Sequence, residues 1–257
     1  MNSADVARSA ATPRFFSAQP LPRPFANEIS FGVNEAIARH IQVLRINVDE
    51  GVTLFDGAGG EWHGVVEAIG KRNATVRLVA FHPVERESPL AVTLVQTLAT
   101  GEKMDLIVQK AVELGVCAIQ PIASERANLK LTGERAQKRV AHWQAVAVAA
   151  CEQCGRNRVP DIAEPIDFKS WVAMPNPPEG LRLILHPHGQ SALVAAFNPA
   201  VPTAIVIGPE GGFSDDEIAF AARQGAVSVN FGPRVLRTET AGLAALAALN
   251  ARHGDMR

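Results

Sequence analysis

The sequence predicts an α/β protein, a parallel sheet with helices on both faces, preceded by a small β-rich domain. Three observations carry this. From residue 92 to residue 253, strand-like and helix-like segments alternate, the pattern of a parallel sheet with crossover helices. Earlier, from Phe25 to about Ala80, apolar and polar residues alternate with period two, as half-buried strands do. Between the two parts, Glu85 to Pro89 is polar and ends in a proline, as linkers do.

In the first part, 43–48, 52–55 and 75–79 read as strands. Asp56-Gly57-Ala58-Gly59-Gly60 supplies a hairpin-type turn between two of the short strands, because successive glycines admit the positive φ that tight turns require. The second part opens with a strand at 92–98, a helix at 102–114, a strand at 116–122 and a long helix at 134–152. A strand at 181–185 follows, then a short helix from Ser191, a strand at 204–207 and a helix opening at Ser214. A strand at 227–231 and a last helix at 238–253 complete the set. Ser214 and Glu217 have the spacing of a capping box, which starts a helix directly after Gly211-Gly212.

A chain of 257 residues can form one large domain or two smaller ones and buries a real core either way. It is 47% hydrophobic and 20% charged, without an apolar run of membrane-spanning length, which describes a soluble globular protein with no membrane partner. The net charge of -1 gives no general attraction to nucleic acid, so an RNA site has to come from local arginine and lysine clusters. Three cysteines, Cys117, Cys151 and Cys154, are too few for a disulfide framework and fit a reducing compartment. The opening Met1 to Thr12 has scattered arginine and alanine but no apolar core, so it reads as a disordered tail rather than a secretory signal.

Two stretches near the end stand out. An apolar run breaks into Gly208-Pro209-Glu210-Gly211-Gly212-Phe213-Ser214, and one helix and one strand later comes Phe231-Gly232-Pro233-Arg234-Val235-Leu236-Arg237-Thr238-Glu239-Thr240-Ala241. Each is a strand ending in a glycine-bearing loop that leads into a helix, which sets backbone amides and carbonyls beside a bound small molecule. The first is not the dinucleotide fingerprint, since the glycine order is wrong and a proline removes an amide. Nor is it a P-loop, because no lysine followed by serine or threonine closes it.

Read with Arg156-Asn157-Arg158-Val159-Pro160, the two loops resemble those of the RsmE family, bacterial SPOUT-superfamily methyltransferases acting on N3 of a uridine in small-subunit ribosomal RNA. The resemblance runs from about Arg14 to the C-terminus. It implies a SPOUT-type trefoil-knotted parallel sheet, a rare exception to unthreaded chains, preceded by a PUA-like RNA-binding domain. The implied organisation is a tail at 1–13, the PUA-like domain at 14–84 and the methyltransferase domain at 85–257. It further implies S-adenosyl-L-methionine as cofactor, 16S rRNA in the small subunit as partner, a homodimer and a cytoplasmic location.

By the same resemblance, three loops line the cofactor cleft: Leu185 and His186 with Pro187; Ile207, Gly208, Pro209, Gly211 and Gly212; and Phe231, Gly232, Val235 and Leu236, followed by Thr240. Glycines let the backbone approach the ligand, and Leu185, Ile207 and Leu236 offer apolar contact. When uridine N3 loses its proton, negative charge spreads onto the flanking oxygens, and Arg234 and Arg237 are placed to stabilise it or to hold a phosphate. Glu210 is either the proton acceptor or a partner of loop amides. Glu239, at the start of the last helix, is a partner of the helix dipole.

Arg14, Arg45, Arg126, Arg156 and Arg158 are the candidate RNA contacts, with Phe15-Phe16 as a stacking face. Further basic groups are Arg39-His40, Lys71-Arg72, Lys130 and Arg135-Lys138-Arg139, each of which taken alone reads as solvated surface. Cys151 and Cys154 form a C-x-x-C at the end of a predicted helix, where the dipole opposes a thiolate and no further zinc ligands are spaced to join them. His186 and His188 likewise lack a third ligand, so no metal site is expected. The last helix, with Ala241, Leu243, Ala244, Leu246, Ala247 and Leu249, packs either against a second subunit or within its own. Two other readings stay open: an RNA-binding assembly factor without catalysis, and a different α/β enzyme holding a nucleotide or phosphate at the Gly208 loop.

Overall fold

The computed structural model describes residues 12–23, 28–127, 129 and 131–256. The tail expected at 1–13 lies almost wholly outside these residues, as do Phe25 and Lys130. The chain divides into two units, one running up to Glu87 and including Cys151–Val159, the other comprising Ser88–Ala150 and the chain from Pro160 onward.

The first unit is built on five strands: β1 (Arg14–Phe16), β2 (Ile29–Val33), β3 (Gly51–Phe55), β4 (Glu61–Ile69) and β5 (Ala74–His82), in the order β1-β3-β4-β5-β2. β3 and β4 pair antiparallel around the 56–60 turn, where Gly57, Gly59 and Gly60 all have positive φ. Alternate residues Val52, Leu54, Trp62, Val66, Val76 and Leu78 turn inward and form one apolar cluster, the period-two burial of a one-sided sheet.

The stretch expected to be a strand at 43–48 is instead the end of a helix, α1 (Glu35–Val43). Asn34 caps its start by accepting from the Ile37 amide, and Ile37, Ala38 and Ile41 bury one face. It stops in a Schellman arrangement: the Arg45 amide donates to Gln42 O, the Ile46 amide donates to Ile41 O, and Arg45 takes φ 56°. Buried Ile46 then packs after the cap while Val43 and Leu44 stay exposed. The apparent alternation was therefore one helical turn followed by a cap.

The segment Cys151–Val159 belongs to the first unit through polar contacts. Arg14 donates to the carbonyls of Gly155 and Arg156 and to Asn157 Oδ1, and it pairs with Glu61, which also accepts from Arg86. Arg156 pairs with Glu87, and Arg158 with Glu85 at 3.1 Å. The sequence boundary at 84/85 thus differs from the structural one, because these ion pairs reach up to Glu87 and across the chain to 151–159.

The second unit is a sheet of eight strands: β6 (Val92–Thr97), β7 (Ala118–Ala123), β8 (Asp161–Ile162), β9 (Ile166–Asp167), β10 (Leu181–Leu185), β11 (Ser191–Ala192), β12 (Thr203–Ile207) and β13 (Val227–Asn230). Its main path runs β11-β13-β10-β12-β6-β7-β8, with β9 also on β7, and its pairings are parallel. The helices are α2 (Lys103–Glu113), α3 (Gly133–Cys154), α4 (Phe168–Ala173), α5 (Leu193–Ala196), α6 (Asp215–Arg223) and α7 (Thr238–His253). The short α4 had no counterpart in the sequence reading, and Ser191 begins a two-residue strand before its helix.

Successive residues of the central strands serve opposite faces. Val95, Ile122, Ile184 and Val206 pack with Phe168, Val172, Phe213 and Ala221 from α4, α6 and the loop between β12 and α6. Leu94 and Ile207 meet α7 on the other face. A Cβ at Gly242 would lie 2.9 Å from Leu94 Cδ1 and 3.3 Å from Ile207 Cγ1, so glycine lets that helix approach the sheet. Among the described residues no helix is long and apolar enough to cross a membrane.

Candidate active site

Strands β13, β10 and β12 are consecutive neighbours and run parallel, so the three loops that follow them leave from one edge of the sheet. In parallel α/β sheets that edge is where ligands bind.

The first loop is laid against β13. The His186 amide donates to Val229 O at 2.9 Å, the Gln190 amide donates to Ser228 O at 3.2 Å, and Asn230 Nδ2 donates to Gly189 O at 3.0 Å. A Cβ at Gly189 would sit 2.2 Å from the Val229 carbonyl carbon, so only glycine permits this approach. His186 is half-buried with its ring centroid 5.7 Å from that of His188. Burial, then the neighbouring His188, push its pKa down, with Asp215 opposing.

The second loop turns where the Gly212 amide donates to Pro209 O at 2.9 Å, with Gly212 at φ +67°. Ser214 then completes the capping box with Glu217, starting α6 where the sequence indicates. Two carbonyls of this loop are held from beneath: Ile207 O accepts from Thr97 Oγ1 and Gly208 O from Thr238 Oγ1, each at 2.8 Å. Gln96 Nε2 donates in turn to Thr238 Oγ1 at 2.9 Å. Arg126 is exposed and donates to Gly211 O at 3.1 Å.

The third loop carries Gly232 at φ +79°, exposed Arg234, Val235 and Arg237, and half-buried Phe231 and Leu236. Arg237 is the N-cap residue of α7, and its carbonyl accepts from the Thr240 and Ala241 amides. Among the described residues, the Arg234 and Arg237 side chains have no hydrogen-bond or ion-pair partner. Lys103 Nζ lies 2.9 Å from Glu210 and 3.4 Å from Glu239. The hydrogen bond from Lys103 holds the Glu210 carboxyl below its ordinary value, and the same contact raises Lys103.

The structure thus groups Leu185, His186, the 207–212 loop, 231–237 and Thr240 at neighbouring strand ends. Two side chains depart from the apolar and proton-accepting roles considered for them, for clear reasons. Ile207 is 2% exposed beneath α7, so only its backbone faces the loop. Glu210 is an ion-paired carboxylate of lowered pKa, a poor proton acceptor.

Arg14 and Arg156, expected at RNA, are instead buried in ion pairs of the first unit, and Phe15 is 1% exposed in its core. Arg45 is exposed, and Arg158 stays about half exposed despite Glu85. The Cys151 thiol is pushed up to about 12 by burial, which suits a packed side chain rather than a nucleophile. Gln96, Thr97 and Lys103 were missed by the sequence reading. Two polar residues ending the apolar strand β6 were the available signal for the first pair; nothing local marked Lys103.

The pattern of the RNA methyltransferase PUA domain matches residues 33–79, and that of the RNA methyltransferase domain matches residues 86–250. The chain is 34% identical to ribosomal RNA small subunit methyltransferase E of Synechocystis sp., over 82% of this chain and 69% of that protein. The protein of that name from Buchnera aphidicola is 30% identical over 84% of this chain and 85% of its own length. The chain belongs to the ribosomal RNA small subunit methyltransferase E family. A crystal structure of a methyltransferase E from Neisseria gonorrhoeae, bound to S-adenosyl methionine, matches with a TM-score of 0.88 and 38% identity. The match covers 96% of this chain and 100% of that one, so both units share in the family likeness.

Proposed function

We propose that this chain transfers the methyl group of S-adenosyl-L-methionine to N3 of a uridine in 16S ribosomal RNA, working in the cytoplasm as a homodimer on the small ribosomal subunit. The observation that carries this reading is the pair Arg234 and Arg237. Both lack side-chain partners among the described residues, and both sit on a loop beside two other glycine-bearing loops. A guanidinium with open donors suits uracil oxygens that gain negative charge as N3 is deprotonated.

Bound S-adenosyl-L-methionine supplies an activated methyl group; the chain's share is positioning. The residues fit such a ligand: Gly212 and Gly232 provide the φ > 0 turns, Leu185 and Leu236 present half-buried apolar side chains, and Thr240 is exposed in the first turn of α7. Lys103 keeps Glu210 ionised, so Glu210 acts here as a loop tether rather than as the base. Exposed Arg45, Arg126 and Arg158 remain the RNA contacts of this proposal, with 14–87 and the 151–159 segment as the PUA-like part and the rest as the methyltransferase part. The trefoil knot belongs to the same proposal.

The dimer rests on α7. Its Ala241, Leu246 and Leu249 are buried in their own subunit, while Leu243, Ala244, Ala247 and Ala248 form a half-exposed apolar stripe. Light scattering showing a stable monomer that still binds cofactor would sink the dimer.

The reaction is tested with labelled S-adenosyl-L-methionine offered to unmodified small subunits and to naked small-subunit RNA, followed by nucleoside mass spectrometry. Label in 3-methyluridine, greater on the subunit, is the expected result. Cofactor binding without label would mean another substrate, and RNA binding without cofactor binding would favour the assembly-factor reading.

A further inference from the structure

We infer that Gln96 and Thr238 are positioning residues of the cofactor loop, acting as a buried proton-ordered relay that fixes the Gly208 carbonyl. The inference rests on the reading above that S-adenosyl-L-methionine binds at this loop. Gln96 is 0% exposed and Thr238 5%, so both are buried, and the side-chain amide can be oriented from its partners. Gln96 Nε2 donates to the Thr97 carbonyl at 3.1 Å as well as to Thr238 Oγ1 at 2.9 Å. A carbonyl only accepts, so the nitrogen must face this side. The Thr238 hydroxyl, having accepted from the amide, has its single proton left for Gly208 O at 2.8 Å.

The direction of each bond is therefore determined from Gln96 outward. The chain joins three elements in series: the end of β6, the first residue of α7 and the residue that follows β12. Gly208 is also the point where the loop leaves the sheet, and a Cβ there would lie 3.1 Å from the Phe213 ring. Gln96 Oε1, meanwhile, finds no donor among the described residues. A buried amide with its oxygen unpartnered is a poor choice for stability alone, and buried polar groups of this kind specify geometry. Because Thr238 follows Arg237, the same relay orders the arginine loop relative to the glycine loop.

Gln96→Glu is close to isosteric and, titrated above the raised pH at which a carboxyl buried here ionises, replaces the donor by an acceptor. The Thr238 hydroxyl then turns its proton toward the carboxylate and leaves Gly208 O unbonded. Thr238→Val removes the hydroxyl at nearly constant shape, whereas Thr238→Ser keeps it. Calorimetric titration with S-adenosyl-L-methionine, with circular dichroism to confirm folding, should show at least about tenfold weaker binding for Thr238→Val and for folded Gln96→Glu. Thr238→Ser should stay within about threefold of wild type.

If Gln96→Glu does not fold, the threonine pair decides. Wild-type binding together with unweakened Thr238→Val overturns the inference, as does equal weakening in Thr238→Ser. Failure of the wild type itself to bind refutes the cofactor reading, and this inference with it.

Discussion

Lys103 Nζ lies 2.9 Å from a carboxylate oxygen of Glu210, so a cation from the start of α2 clamps the loop that follows β12. The same ammonium reaches Glu239 at 3.4 Å and thereby ties that loop to the first turn of α7. A carboxylate so engaged is stabilised as the anion, which lowers its proton affinity. Replacing a general base typically costs 10²–10⁴-fold in rate. Glu210→Gln is therefore expected to reduce kcat by less than about tenfold and to leave the acid limb of the pH–rate profile in place. A loss of about a hundredfold or more, with that limb abolished, would restore Glu210 as the base.

Arg237→Ala should separate binding from turnover. The guanidinium has no structural partner to release, so folding and cofactor affinity should change little. Loss of charge stabilisation should lower kcat by about 10²–10³-fold. Single-turnover kinetics alongside calorimetry provides the check, and unchanged turnover would remove Arg237 from the site.

Two glycines should fail in different ways. Gly212 has open space around a would-be Cβ but φ +67°, so Gly212→Val strains the turn by about 1–2 kcal/mol and abolishes cofactor binding without unfolding the chain. At Gly189 the obstacle is Val229 backbone at 2.2 Å. Gly189→Ala must push the loop off β13, and its melting temperature should fall whether or not cofactor is present.

Glu61 should govern acid stability of the first unit. Burial alone would raise its pKa, but hydrogen bonds from Arg86 and Arg14 outweigh this and hold it at about 2, against an ordinary 4.5. A carboxyl depressed on folding stabilises fully above about 4.5 and loses that contribution as pH falls toward about 2. Urea unfolding across that interval should show the decline, and Glu61→Gln should flatten it. Glu61→Ala leaves Arg14 uncompensated and should cost about 3–5 kcal/mol at neutral pH.

Much of the second unit was legible because its signals are local. The capping box at Ser214 and Glu217 and the apolar runs of β10 and β12 place their elements within a residue or two. The 43–48 stretch was misread because a helix end and a Schellman cap together imitate alternation, and the left-handed Arg45 carries no glycine to betray it. The glycine loops were visible for the same local reason as the caps. What holds them was not: Gln96 and Lys103 act over more than a hundred positions of sequence separation and Thr238 reaches Gly208 over thirty, and no periodicity reports such partners. The burial of Arg14 and Arg156 was equally hidden, since an arginine looks the same in sequence whether it meets phosphate or Glu61 and Glu87.

The assignment of Cys151–Val159 to the first unit has a consequence during synthesis. Arg14 needs Gly155, Arg156 and Asn157 as acceptors, and these emerge only after Ser88–Ala150 has been translated. An N-terminal domain normally completes its folding as it leaves the ribosome. Here the nascent chain must hold an unfinished sheet edge at β1 open, with Arg14 unquenched, until the end of a helix belonging mostly to the next unit has been delivered.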